Sequence, residues 1–162
     1  RLPEIRKILN ILALQLKCVG ALIPSTTMTI EKETSMSVKD LIGLKPEDFS
    51  FEGKLTSVIL SDDGGTLTGK GDATRYGTVF ITYHLTVNPN VPGQGTMTGT
   101  GTGIDDEGNL VTAALNGVFD RNGHEFKIYC VDDLTDGAIN LAVVSINLKT
   151  DDFRVDWSEI DR

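Results

Sequence analysis

The run Gly95-Thr96-Met97-Thr98-Gly99-Thr100-Gly101-Thr102-Gly103 restricts what this chain can fold into more than any other stretch. It alternates with a period of two, which a β-strand converts into two different faces. Thr96, Thr98, Thr100 and Thr102 fall on one face; Gly95, Gly99, Gly101 and Gly103 fall on the other, interrupted by Met97. Threonine suits a pleated surface because its branched Cβ packs well there. Each interior glycine costs roughly 0.5–1 kcal/mol relative to alanine. A row of them therefore implies a sharp bend in a closing sheet, or something large lying against that face. The run reads as one strand of a closed antiparallel barrel whose interior carries a patch poor in side chains.

The flanking sequence repeats the pattern. Phe49–Leu60 alternates with Phe49, Phe51, Gly53, Leu55 and Ile59 on one face. Ser61-Asp62-Asp63-Gly64-Gly65 reads as a hairpin loop. Thr66–Arg75 places Leu67, Gly69, Gly71 and Ala73 inward, a second small-residue face. Thr78–Val87 supplies bulk through Val79, Ile81, Tyr83, Leu85 and Val87. Leu110–Phe119 follows the glycine–threonine strand, and Asn122-Gly123 marks a tight turn into His124–Val131. A turn over Asp132–Gly137 leads to Ala138–Leu148, which is apolar on both faces apart from Asn140 and Ser145 and so should be covered on both sides. Phe153–Trp157 reads as a short terminal strand or tail. Upstream, Thr26–Thr34 reads as a first strand and Ser37–Leu44 as a short helix capped by Ser37. The expected architecture is all-β, an antiparallel β-barrel of about eight strands spanning residues 25–162, with a two-sheet sandwich as the rival.

Residues 1–24 differ. Ile5, Ile8, Leu9, Leu12 and Leu16 recur at three and four residues, giving one apolar stripe, and Gly20 and Pro24 close the segment. Asn10, Gln15 and Lys17 interrupt what a membrane span or a signal-peptide core would need. An N-terminal amphipathic helix is the expectation, serving as a lid, as a plug or as a helix that binds a partner, a second copy in a homodimer included.

The chain carries a net charge of −8 and gathers no strip of Lys or Arg, so neither nucleic acid nor an anionic membrane is an expected partner. Two cysteines, Cys18 and Cys130, are too few for a disulfide framework, and two reduced thiols point to the cytoplasm. No Cys-x-x-Cys or His pair has metal spacing, so neither metal nor cofactor is expected. His84 falls on the face opposite Tyr83 and His124 sits at a strand end. Asp62-Asp63 and Asp105-Asp106-Glu107 read as solvated hairpin acids.

The Gly-x-Gly strands with Asp-Gly and Asn-Gly hairpins, from Gly53-Lys54-Leu55 through Gly69-Lys70-Gly71 and Gly95–Gly103 to Leu115-Asn116-Gly117-Val118-Phe119, resemble calycin-like barrels of the allene oxide cyclase type. Within that group the helix-then-barrel order is similar to the spirotetronate-forming cyclases, which catalyse an intramolecular [4+2] cycloaddition under an N-terminal segment. The likeness is one of organisation, and no catalytic residue carries over from it. It implies an apolar small-molecule substrate in the barrel and a cofactor-independent cyclase. The alternative is a non-catalytic carrier of a hydrophobic ligand, or a protein-interaction barrel. The residues expected to form the site are Leu67, Gly69, Gly71, Val79, Ile81, Met97, Gly99, Gly101 and Leu115 in the barrel, Leu12 and Leu16 on the helix, and Tyr83 as the catalytic hydroxyl. Trp157, so near the C-terminus, is not expected in a pocket.

Overall fold

A computed structural model describes residues 37–162. Within them, one helical turn, α1 (Val38–Leu41), precedes eight strands: β1 (Leu44–Ser61), β2 (Gly64–Ala73), β3 (Gly77–Val87), β4 (Gln94–Ile104), β5 (Leu110–Asn122), β6 (Glu125–Leu134), β7 (Ile139–Asn147) and β8 (Asp152–Ile160). Each pairs antiparallel with the next, and β8 pairs back with β1 to close the barrel. Closure gives every strand two neighbours and leaves no open edge for another chain to pair with. The expected strand Thr26–Thr34 and the helix over residues 1–24 lie outside the described residues.

Alternation determines which side chains point inward on β2 to β5. Leu67, Gly69, Gly71 and Ala73 face the interior as expected, as do Val79, Ile81, Tyr83 and Leu85, while the threonines of β4 face out. Outer Thr56 and Thr68 share a hydrogen bond of 2.8 Å across β1 and β2. Short turns join the strands. Gly123 adopts φ +61°, the left-handed conformation that the β5–β6 turn requires. Asp105 Oδ1 accepts from the backbone N–H of Glu107 and Asn109, which gives one acid of the β4–β5 loop a structural task.

Five features differ from the sequence reading. Ser37 and Asp40 form a capping box, but the helix stops at one turn and β1 begins at Leu44. Ile59 is 65 % exposed instead of inward, because a bulge between Leu55 and Ser57 adds a residue and inverts the alternation beyond it. Gly64 and Gly65 belong to β2, leaving Asp62-Asp63 as the turn. Asp132 is not in a turn: β6 continues to Leu134, keeping Asp132 on the inner face with Ile128 and Cys130. The terminal segment is a full strand, and it completes the barrel.

The chain direction gives the barrel two distinct ends. β1 begins and β8 finishes at one, where the β2–β3, β4–β5 and β6–β7 turns also lie. The other holds the remaining four turns. No helix among the described residues is long and apolar enough to cross a membrane.

Candidate functional site

The far half of the interior is packed with side chains. Leu67, Met97, Ile128, Phe119, Phe126, Ile146 and Phe153 are all buried there, with the rings of Phe119 and Phe126 5.8 Å apart. Two inner glycines of β2 are floors for aromatic rings. A Cβ on Gly69 would stand 2.7 Å from Phe153 Cε1, and one on Gly71 would stand 2.9 Å from Phe51 Cδ2. A Cβ on Gly99 would meet the Thr82 carbonyl oxygen at 2.2 Å. These three glycines do not border open space, which corrects the expectation that they hollow the barrel: the Phe153 and Phe51 rings take the volume over Gly69 and Gly71, and the backbone of the neighbouring strand closes on Gly99. Gly101 is the exception, with only Ala113 and Leu115 atoms near its Cβ position, at 3.7 and 4.0 Å.

Around Gly101, toward the end where β1 begins, the barrel keeps a cavity of about 70 Å³. A buried water needs roughly 10–15 Å³ on this scale, so the space holds a few waters or a few heavy atoms of a ligand. Of the expected site residues, Val79, Ile81, Tyr83, Gly101 and Leu115 line it. Leu67, Gly69, Gly71, Met97 and Gly99 do not, and Leu12 and Leu16 lie outside the described residues. Trp157, contrary to expectation, is 6 % exposed and part of the wall. Its ring stacks on Phe49 at 5.4 Å and meets Phe51 edge-on at 5.9 Å.

The polar members of the wall are what the sequence reading missed. Tyr76, Asp132, Asn140 and Trp157 all line the cavity. Each carries a polar atom shielded from solvent and without a hydrogen-bond partner: Tyr76 Oη, Asp132 Oδ1, Asn140 Oδ1 and Trp157 Nε1. Asn140 lies close enough to Tyr76 to influence its hydroxyl, yet neither oxygen has a partner at hydrogen-bonding geometry. Buried polar groups are nearly always paired in folded proteins, so four orphans around one space form a concentrated exception. Strand pairing brings two of them together. Asp132 stands directly opposite Leu115 on β5 and Asn140 on β7.

Burial shifts the titrating groups of this wall. Loss of solvation pushes the Asp132 carboxyl up to about 6, only partly offset by the neighbouring Cys130 thiol. Burial raises Cys130 and Tyr83 far enough that both keep their protons at neutral pH. Cys130 is a buried free thiol, a small apolar wall residue and not a nucleophile. At the rim, Arg75 lies 3.1 Å from Glu159 and 4.0 Å from Asp136, and Lys45 lies 2.6 Å from Glu159. A wider depression outside the barrel runs past Glu52, Lys127 and Arg154, but Arg154 there is already held by Glu52 and Asp156.

The chain matches no protein-family model, no curated protein and no solved structure. The site's chemistry therefore has to be read from its own residues.

Proposed function

We propose that the barrel encloses a small molecule, or one end of a larger one, with an apolar body and hydrogen-bonding groups. The observation that carries the reading is the set of four unpartnered polar atoms on the wall of a largely apolar cavity. Leaving a buried donor or acceptor unmet costs about 1–3 kcal/mol, and a ligand that meets several of them recovers much of that. The space is well below the roughly 300–1,000 Å³ of a site for a drug-sized molecule, so a larger compound would have to extend out through the rim.

The cyclase reading is a narrower form of this proposal. Tyr83, 4 % exposed and protonated, can donate to a substrate carbonyl from the cavity wall. A cycloaddition needs no proton transfer, and orientation alone can supply up to about 7–11 kcal/mol in favourable intramolecular cases. Tyr83→Phe would then slow turnover while leaving binding in place; a carrier would show binding without turnover in either protein.

Trp157 is the chain's one tryptophan, so its emission reports on the cavity directly. Native mass spectrometry of the purified protein should reveal a co-purified small molecule, and its release should shift that emission. Gly101→Phe should fill the cavity and remove binding while cooperative unfolding persists. Binding unchanged in Gly101→Phe would refute the assignment.

A further inference from the structure

The four unpartnered atoms make unequal demands on whatever meets them. The Trp157 indole can only donate and Asn140 Oδ1 can only accept. The Tyr76 hydroxyl can do either, and Asp132 Oδ1 accepts once its carboxyl is ionised. Two acceptors, on Asp132 and Asn140, stand on directly paired residues of β6 and β7. Across the cavity are the rings of Phe51, Tyr76, Tyr83 and Trp157.

Two cations at this rim are already engaged. Arg75 and Lys45 are both engaged by Glu159, with Asp136 also beside Arg75. Among the described residues no cation lies within ion-pair distance of Asp132. The cavity wall faces it with Tyr83 from β3, Leu115 from β5, Cys130 from its own strand and Asn140 from β7, none of them positive. His84 points outward from β3 and His124 sits in a turn at the opposite end. With a carboxyl that loses its proton near pH 6, the site at neutral pH holds a buried negative charge that no cation of the described residues offsets. Such a charge is costly unless it is paired and hydrogen-bonded. Aromatic faces, negative at their centres, favour a cation in the same space.

We infer that the cavity takes a small organic ammonium ion, its N–H groups shared between Asp132 and Asn140 and its alkyl part set against the aromatic wall. This rests on reading the cavity as a binding site and adds the charge and class of the ligand. A neutral alcohol or a trapped water brings no charge to Asp132. A carboxylate is repelled by it.

The test is a titration of the full-length protein with three probes of one shape: isobutylamine, isobutanol and isobutyrate. Trp157 emission and saturation transfer to the probe methyl protons are the two readouts. At neutral pH the amine should bind about tenfold or more tightly than the alcohol, as charge-assisted pairing requires, and the carboxylate should not bind. As pH falls below 6, protonation of Asp132 should weaken amine binding by up to about tenfold per unit, leaving the alcohol unaffected. Asp132→Asn should abolish the preference for the amine, and the pH series on the unaltered protein makes the same point without a variant. Equal binding of amine and alcohol, both lost in Gly101→Phe, would overturn the ammonium assignment and leave the binding site standing. Silence in both readouts for all three probes, with no small molecule co-purifying, would overturn both.

Discussion

The two ends of the barrel interior are made by the same strands and the same alternation, yet they are finished in opposite ways. At the far end, glycines on one strand are matched by aromatic rings from others: Phe153 over Gly53 and Gly69, and Phe119 over Gly95. Removing a side chain there makes room for a larger neighbour, and the result is dense. Near the start of β1, Gly101 has no such neighbour, and Asp132, Asn140, Tyr76 and Trp157 bring polar atoms that nothing meets. A missing side chain is thus no evidence of a hollow by itself. What distinguishes the two ends is whether a bulky residue from another strand reaches the gap.

Three measurements would break or sharpen this contrast. The largest effect belongs to Phe153→Ala, which should cost about 3–5 kcal/mol by denaturant unfolding, because the ring fills the space over two glycines. Val79→Ala, on the wall of an existing space, should cost distinctly less. Similar losses would mean that the two ends are equally packed.

Next comes Asp132→Asn. The folded carboxyl titrates near 6 against an ordinary 3.8. The native state therefore holds its proton more tightly than the unfolded chain, and stability falls as pH rises between those values. A shift of that size corresponds to about 2–3 kcal/mol. The variant should gain about that much over the unliganded parent at pH 7 and almost nothing at pH 4. A gain independent of pH would detach the effect from titration.

The smallest effect comes from adding one methyl group to each of two inner glycines. Gly69→Ala forces its Cβ toward Phe153 and should cost about 1–3 kcal/mol. Gly101→Ala meets open space and should be neutral or stabilise by up to about 1 kcal/mol. Equal responses would show that the ring over Gly69 moves aside freely.

Much of the barrel was legible in the sequence. Alternation identified the strands from Thr66 to Phe119 and placed Val79, Ile81 and Tyr83 inward, because a half-buried strand writes its two faces into its residues. Less of the site was legible. Asp132-Asp133-Leu134-Thr135-Asp136-Gly137 has the composition of a turn, and it hid the two-residue rhythm of Ile128, Cys130, Asp132 and Leu134 that continues through it. The same rhythm in Phe153, Val155 and Trp157 marks a strand, but that this strand closes the barrel and turns Trp157 into the cavity depends on pairing with β1 that no local pattern contains. Ile59 was misplaced because a bulge leaves no fixed signature in composition. The packing over Gly69 depends on Phe153, which the closed ladder brings overhead from the far end of the chain, information that no local window contains.

Gly43 and Asp161 are joined by a 2.9 Å backbone hydrogen bond, so the chain comes into the barrel and leaves it through adjacent doorways on the cavity's own rim. A label attached at a side chain beside Gly43 or Asp161 would stand beside the ligand's threshold. One spliced into the Asp62-Asp63 turn would ride at the opposite pole, a full strand length away. That placement makes the turn the safer anchor for immobilising the protein, and the rim beside Gly43 and Asp161 the better post for a sensor meant to register what passes in.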